Sequence, residues 1–341
     1  TAYYVQLVYA NPAQTLPEIQ SAGFTVPNMV FSSGVRVTPE AYPEFTGYRA
    51  NVETSDAVSF DESKMPVIVV YGTPQEMGYY YGQLLAPQIN IFVRDYVAFY
   101  LAQTGGTISQ LRDGWNLVAP FIDSRLRDEM LGISEAPGIT VSLEQIELAH
   151  AAALFELIGT WTSSGTVAYG GLMQGGGSAL AASLNAPFYK QQCAVVYIPD
   201  DGVPHTILTH AGLTFGRIGV NLGGISATEI VDPPVWNAET GTWDDPYTGG
   251  RYAYSGVEPN ALPLLRTVLY DTTSLREAVS IVKKAQMLRP LTMLLSDGRN
   301  EMRGARVKVL PGGLVLEERY DMALSDFNIA NARGVVYGTN T

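Results

Sequence analysis

The sequence predicts an α+β fold in which two β-sheets pack face to face between layers of helix, a four-layer αββα sandwich with a helical region at its N-terminal side. Two observations predict it. Apolar positions recur at helical spacing through residues 75–160, and short β-branched and apolar runs follow from residue 161, interrupted by one pair of helices. Two sheets covered by helices accommodate this order. We expect a lead-in with short strands over 1–60, a helical region over 61–160 and the sandwich core over 161–341.

The helical half begins with a strand. Residues 65–71 (MPVIVVY) form an apolar, β-branched run that predicts a buried strand, and a Gly-Thr-Pro turn ends it. A helix follows, with Gln75 and Glu76 in its first turn. Its apolar stripe consists of Met77, Tyr81, Leu84, Leu85 and Ile89. Gly78 and Gly82 lie four residues apart on this helix. This spacing either allows the backbone of another element to approach the helix closely, or it lowers helix stability with no compensating contact.

Two further helices are predicted before residue 160. Residues 123–131 are amphipathic, and Ser142 with Gln145 three residues later forms a capping box that opens a helix running to Ile158. The apolar positions of this last helix are dense enough to predict that it is buried. His150 lies on it, and we interpret this residue as a core histidine with one hydrogen bond rather than as a catalytic group.

Strands dominate the second half of the chain. The predicted strands cover residues 179–183, 193–198, 206–210, 217–221, 291–295, 303–310, 314–319 and 335–337. Two helices interrupt them at 262–270 and 274–286, the second opened by a Ser274–Glu277 capping box. Residues 232–254, rich in Gly, Pro, Trp and Tyr, are predicted to form a long structureless loop. Such a loop is typical of a lid over an apolar or aromatic substrate, of a surface decoration or of a subunit contact.

Composition narrows the possible functions. The net charge of −12, without clusters of Lys and Arg, argues against nucleic-acid binding. The single cysteine, Cys193, excludes an internal disulfide and a cysteine-based zinc cage, and its apolar strand predicts an inert core position. No apolar run approaches the ~20 residues of a membrane-spanning helix, and we expect no membrane association. No secretory signal is visible, so a cytoplasmic location is expected.

Few residue patterns point to chemistry. His205 and His210 lie five apart on one predicted strand, so their side chains point to opposite faces and no shared metal is expected. We expect no cofactor. The remaining feature is a hydroxyl cluster, residues 160–164 (TWTSS), at the junction between the helical half and the strand half.

Six segments, in this order, carry a resemblance to a known family. They are residues 72–82 (GTPQEMGYYYG), 129–139 (EMLGISEAPGI), 143–156, 209–225, 262–282 with Arg266, and 336–340 (VYGTN). Together they resemble the acyl-CoA:6-aminopenicillanate acyltransferase family, a branch of the N-terminal-nucleophile (Ntn) hydrolases similar to the C45 cysteine peptidases. The resemblance covers roughly residues 65–341 and implies an Ntn-type sandwich.

The resemblance also implies roles for individual residues. Self-cleavage in that family exposes an internal cysteine as a new N-terminus, and its free amine serves as the base for its own thiol. Here the motif falls on the hydroxyl cluster, which implies Thr162 as the nucleophile and Trp161 as the residue whose carbonyl is cleaved. Asn340 would stabilise the oxyanion and Asn185 would orient the attacking group. We expect Trp161, Ser163, His210 and Arg217 to contact the substrate.

Two features leave alternatives open. The alignment with Trp161 at the cysteine position would abolish the nucleophile, whereas the alignment with Thr162 retains one. The aspartate of the family's N-x-D segment is absent, since residues 185–187 are Asn-Ala-Pro. The chain is therefore expected to be an amidohydrolase or acyltransferase acting on a small-molecule amide or thioester. The alternatives are an uncleaved protein with a repurposed pocket for cyclisation or acyl transfer in secondary metabolism, and a non-catalytic binding protein.

The expected partner is a small-molecule substrate. An acyl-CoA donor and a homo-oligomeric state both stay open at this point. Asn221 is expected to cap a turn between strands, and Arg266 to anchor its helix.

Overall fold

A computed structural model shows helices on one face of a large mixed sheet and a second, small sheet on the other. It describes residues 29–37, 47–54, 65–155, 162–169, 178–185, 188, 191–230, 235–237, 242–244, 251–253, 261–285, 291–310, 314–319 and 335–339. The predicted α+β class is confirmed, and these residues supply the helix, sheet and sheet layers of the expected sandwich.

The large sheet has ten strands in the order β1-β2-β3-β6-β7-β8-β9-β13-β14-β15. They are β1 Met29–Val37, β2 Gly47–Thr54, β3 Met65–Gly72, β6 Gln192–Pro199, β7 His205–His210, β8 Ile218–Asn221, β9 Ile225–Ile230, β13 Leu291–Asp297, β14 Arg303–Leu310 and β15 Leu314–Arg319. All neighbours are antiparallel except β3 and β6. The sheet therefore takes strands from all three segments expected from the sequence.

The small sheet has the order β16-β4-β5 and consists of β4 Thr162–Tyr169, β5 Ser178–Asn185 and β16 Val335–Thr339. All three strands are antiparallel to their neighbours, so β4 is the central one. The sheet packs on β9, β13 and β14 of the large sheet. Two stacked sheets of this kind bury the side chains between them.

The predicted structureless loop at 232–254 is wrong in part. Within it, three short strands pair in the order β10-β11-β12, namely β10 Val235–Asn237, β11 Thr242–Asp244 and β12 Arg251–Ala253. Trp236 lies opposite Trp243, which lies opposite Tyr252. The Gly and Pro residues of this segment predicted a loop, and the pairing of the three strands was not recognised from the sequence.

Six α-helices are described. They are α1 Pro74–Thr104, α2 Ile108–Val118, α3 Ser124–Glu135, α4 Leu143–Phe155, α5 Ala261–Asp271 and α6 Leu275–Lys284, with a 3₁₀ turn at Ala119–Phe121. The predicted capping boxes are confirmed, since Gln145 N donates to Ser142 Oγ at 3.2 Å and Glu277 N donates to Ser274 Oγ at 3.3 Å. The apolar stripe predicted for α1 is buried throughout. The predicted stretch of α4 beyond Phe155 lies outside the described residues.

Helices α1 and α3 cross at backbone contact, and glycines make this possible. A Cβ at Gly78 would overlap the carbonyl oxygen of Glu129, and one at Gly132 would overlap that of Gln75. Gly82 meets Ile133 and Ala136 in the same way. Of the two interpretations of the Gly78–Gly82 spacing, close backbone approach is therefore confirmed.

We expect the Gly78→Ala substitution to lower the free energy of unfolding by about 2–3 kcal/mol, because the added methyl meets rigid backbone. Gly114→Ala is the matched control: it is also helical, but its methyl would meet only the movable ring of Phe155, at 2.9 Å. Alanine's better helix propensity, worth about 1 kcal/mol, should offset that contact. Urea unfolding of both variants measures the difference in their free energies of unfolding. Equal values would contradict the close backbone contact between α1 and α3 at Gly78.

Candidate functional site

The backbone places Thr162 opposite Asn185. Thr162 is the first residue of β4, and its partner in the ladder is Asn185, the last residue of β5. On the other side of β4, Thr339 at the end of β16 pairs with Ser164, and Ser163 lies between these two rows. Trp161 and Asn340 directly adjoin these strands in sequence but lie outside the described residues.

Contacts between the sheets fix the direction of β5. Ser178, its first residue, lies 2.8 Å (Oγ–Oγ) from Ser296, near the end of β13, and Ser296 lies 2.9 Å from Ser226 on β9. The start of β5 therefore sits over the Asp297 end of β13. Since β5 also packs along β9 and β13, its last residue, Asn185, points toward the opposite end of the sandwich.

We call that opposite end the Ile230 end, because β9 stops there at Ile230, which pairs with Thr292. The chain connection agrees with this direction. The ladders place Gln192, the first residue of β6, at the same end, and the six residues that separate it from Asn185 span ~24 Å at most. Thr162 and Asn185 consequently lie at the Ile230 end.

His210 and Arg217 lie toward the same end of the large sheet. The ring of His210 is nearly buried and stacks on Phe92 of α1, with 5.1 Å between centroids. The carbonyl of Arg217 accepts hydrogen bonds from Glu229 N at 3.1 Å and from Thr228 Oγ1 at 2.8 Å. His210 and Arg217 therefore both lie at the Ile230 end of the large sheet, and the His210 ring packs against α1.

The other two histidines are core residues. His150 is fully buried; its Nδ1 donates to the Ile146 carbonyl at 2.8 Å, and its Nε2 accepts from Thr214 N at 2.9 Å. Burial lowers the pKa of His150 to about 4, so the ring is neutral at physiological pH. The interpretation of His150 as a core histidine is confirmed. His205 stacks on Tyr197 at 5.3 Å, away from His210, and burial lowers the pKa of His205 well below its ordinary value.

Cys193 is also confirmed as an inert core residue. It is fully buried on β6, and its sulfur lies 3.6 Å from the Tyr81 hydroxyl. Burial raises the pKa of the thiol to about 12, so a thiolate is not available at neutral pH. Among the residues that the structure describes, no group of three His, Cys, Asp or Glu side chains is placed to hold a metal ion.

A buried ion pair joins the helical half to the sheet half. Arg266 on α5 donates from Nη2 to Glu129 Oε1 at 2.7 Å and from Nη1 to Glu129 Oε2 at 3.2 Å, and both side chains are fully buried. Nη1 also donates to the carbonyl of Thr214, and Tyr270 OH donates to Glu129 at 3.0 Å. Arg266 therefore anchors its helix as expected, through a partner that the sequence did not disclose.

Asn221 has the structural role expected of it. Its side-chain amide donates to the carbonyls of Leu269 and Thr272 at 2.9 and 2.7 Å, and its oxygen accepts from Ile225 N at 2.9 Å. These bonds join the β8–β9 turn to the end of α5. Asn221 therefore lies at the end of the sandwich away from Ile230 and is fully engaged in holding the fold.

Comparisons with known proteins yield only distant likenesses. No family model and no curated protein matches the chain. Among solved structures, a Caenorhabditis elegans N-acylethanolamine-hydrolyzing acid amidase (NAAA) ortholog is 13% identical, with a TM-score of 0.35, over 52% of this chain and 69% of its own. A single-residue variant of conjugated bile acid hydrolase from Clostridium perfringens is 11% identical, with a TM-score of 0.25, over 49% of this chain and 44% of its own. In the described part of the chain, no helix is long and apolar enough to cross a membrane.

Replacing Arg266 with methionine should destabilise the protein by about 3–5 kcal/mol, because Glu129 would be left buried without a counter-charge. The double variant Arg266→Met, Glu129→Leu should recover most of that loss. Arg112→Met is the control, since the Arg112–Glu144 pair is solvent-exposed and is worth about 1 kcal/mol or less. Denaturant unfolding measures the stability of all three variants. A double variant no more stable than Arg266→Met would contradict the conclusion that the unpaired Glu129 carboxylate causes the loss.

The neutral His150 predicts acid sensitivity. Its folded pKa of about 4 lies below the ordinary 6.5, so the unfolded chain binds the proton more readily. The contribution to stability, ~3 kcal/mol, is complete above pH 6.5, declines as the pH falls and is lost below pH 4. In His150→Gln, which does not titrate, the loss of unfolding free energy between pH 7 and pH 4.5 should be ~2 kcal/mol smaller. Identical pH profiles would contradict this account.

Proposed function

We propose that this protein is an Ntn-type amidohydrolase or acyltransferase for a small-molecule amide or thioester, with Thr162 as its nucleophile. The observation that carries the proposal is the position of Thr162. It is the first residue of the central strand of the small sheet, opposite Asn185, at the Ile230 end of the sandwich. Of the two alignments with the family's cysteine, this position favours Thr162 over Trp161, which precedes the strand.

The chemistry follows from a threonine that becomes N-terminal. Hydrolysis of the Trp161–Thr162 peptide bond would release a carboxylate on Trp161 and a free α-amine on Thr162. That amine takes the proton of the Thr162 hydroxyl while the oxygen attacks the substrate carbonyl carbon. The tetrahedral intermediate then expels the amine or thiol, which leaves an acyl ester on Thr162. Water or a second acceptor releases the acyl group and restores the hydroxyl.

Asn340 and Asn185 have supporting roles in this proposal. An amide donor on the developing oxyanion typically contributes about 3 kcal/mol to transition-state stability, and Asn340 is the proposed donor. Asn185, the ladder partner of Thr162, is proposed to orient the nucleophile. Ser163, Trp161, His210 and Arg217 are proposed to contribute to the walls of the site, and residues 232–254 are proposed to cover it.

The histidines support the amine as the base. His150 on α4 and His205 on β7 are buried and hydrogen-bonded, and the His210 ring stacks on α1. A threonine hydroxyl needs a base beside it, and the α-amine created by cleavage supplies one without any further side chain.

Intact mass under denaturing conditions tests the proposal. The purified protein should give two fragments, one ending at Trp161 and one beginning at Thr162. Thr162→Ala should give one uncut chain, because it lacks the hydroxyl. Ser164→Ala, the last hydroxyl of the cluster, is the matched control and should be cut like the wild type.

A second measurement examines the chemistry. Incubation with p-nitrophenyl acetate should add one acetyl group to the fragment that begins at Thr162, and not to the Thr162→Ala chain. A single uncut wild-type chain that accepts no acetyl group would overturn the proposal and favour an uncleaved pocket with another reaction, or a binding protein.

A further inference from the structure

Phe188 has an unusual backbone conformation for a bulky residue. It lies in the connection between β5 and β6, and its φ angle is 63°, a positive value. This left-handed region favours glycine and is unfavourable for a large side chain unless surrounding contacts hold the residue there. One such contact is a hydrogen bond at 2.9 Å in which Gln191 N donates to the Phe188 carbonyl. The side chain supplies the others.

Three aromatic rings of α1 contact the Phe188 ring. Phe92, Tyr96 and Phe99 follow one another at helical spacing, so they project from one face of the helix. The Phe188 centroid lies 5.7 Å from that of Phe92, 5.8 Å from that of Tyr96 and 5.5 Å from that of Phe99, with the planes nearly perpendicular in each case. Perpendicular pairs at such distances are a favourable geometry for aromatic rings. We call the space that these three α1 rings border, and that Phe188 fills, the aromatic pocket.

The walls of the aromatic pocket are fixed by the core. Phe92 and Tyr96 are buried and stack on each other with 4.8 Å between centroids, and His210 stacks on Phe92. Both belong to the long helix α1, which packs on α3 and on the large sheet. Phe188, in contrast, is only half-buried and belongs to a connection between strands. The walls are therefore held more firmly than the ring that fills the space between them.

The backbone of Phe188 lowers the cost of displacing its ring. When the ring leaves, its aromatic contacts are lost, but the residue is free to return to an ordinary negative φ, which relieves the unfavourable conformation. A phenylalanine on a relaxed strand or helix has no such compensation. The aromatic pocket thus holds a phenyl group whose removal is partly offset by the relief of backbone strain.

We propose that the aromatic pocket is a binding site for one neutral aromatic ring of a small molecule, and that such a ring displaces Phe188. The chemistry of the ligand follows from the ring already in place, since a phenyl group fits the space and meets all three walls in a favourable geometry. A saturated ring would lack these aromatic interactions. Asn185 lies three residues before Phe188, ~11 Å away at most, so the displaced segment adjoins the candidate site. The proposal does not depend on cleavage at Thr162.

The competing role for Phe188 is that of a permanent core residue. In that role its ring would close the apolar core beside α1, and a free aromatic molecule would find no space to enter. The two roles predict different results. A permanent core residue leaves the wild type without affinity for a small aromatic molecule, whereas a displaceable ring gives the wild type a measurable affinity that rises when the ring is removed.

NMR titration of the full chain with benzyl alcohol and with cyclohexylmethanol, its saturated counterpart, separates these roles. The wild type should bind benzyl alcohol saturably and about fivefold more tightly than cyclohexylmethanol. Phe188→Gly should bind benzyl alcohol about tenfold more tightly than the wild type, because the aromatic pocket is then open in every molecule. Phe121→Gly, which removes an exposed phenylalanine of the 3₁₀ turn, is the matched control and should bind like the wild type.

Urea unfolding tests the backbone strain separately. Phe188→Gly and Phe188→Ala both lack the ring, but only glycine adopts a positive φ without cost, so Phe188→Gly should unfold at the higher urea concentration. The reverse order would overturn the proposal.

Three binding results would also overturn it: no saturable binding of benzyl alcohol by the wild type, equal affinities for the two probes, or no gain of affinity in Phe188→Gly. Phe99→Leu replaces a half-buried wall and keeps the site testable if Phe188→Gly fails to fold. This variant should weaken binding of benzyl alcohol, and unchanged binding would place the ligand elsewhere and refute the site.

Discussion

The buried pair of Glu129 and Arg266 is the interaction on which the rest of the fold depends. It connects α3 with α5, 137 residues apart in the sequence, and the same guanidinium binds the carbonyl of Thr214 and lies 3.9 Å above the ring of Tyr197. One side chain thus fixes two helices, the β7–β8 connection and the middle of the large sheet. Removing two charges from water is costly, so the arrangement is favourable only when every partner is in place.

That requirement explains why the glycines of α1 and α3 matter. The backbone carbonyl of Glu129 is also the group against which Gly78 packs. The carboxylate of the ion pair therefore belongs to a residue at the point where α1 and α3 cross. A wider crossing would shift Glu129 away from Arg266 and leave two buried charges apart. Close helix approach and charge pairing therefore depend on each other, and they hold α1 over strands β3 and β6 of the large sheet.

Much of the local structure could be predicted from the sequence, because its causes are local. Capping pairs such as Ser274 and Glu277 and the apolar run at 65–71 determine helix starts and a strand by themselves. What could not be predicted depends on distant residues. The strand β9 and the pairing of β1 and β2 with β3 were missed, since a short strand is recognised by its neighbours as much as by its own composition. The partner of Arg266, 137 residues away, was missed for the same reason.

At the candidate site, too, the sequence shows the local pattern and the structure shows which distant residues it meets. A hydroxyl cluster at 160–164 is visible in the sequence, and the family resemblance gives it a role, but neither shows that Asn185 lies opposite Thr162. The buried ionisable groups of the helical layer stabilise the fold on one face of the large sheet, and Thr162 begins a strand on the other. Residues at the Ile230 end can therefore change without disturbing the ion pair.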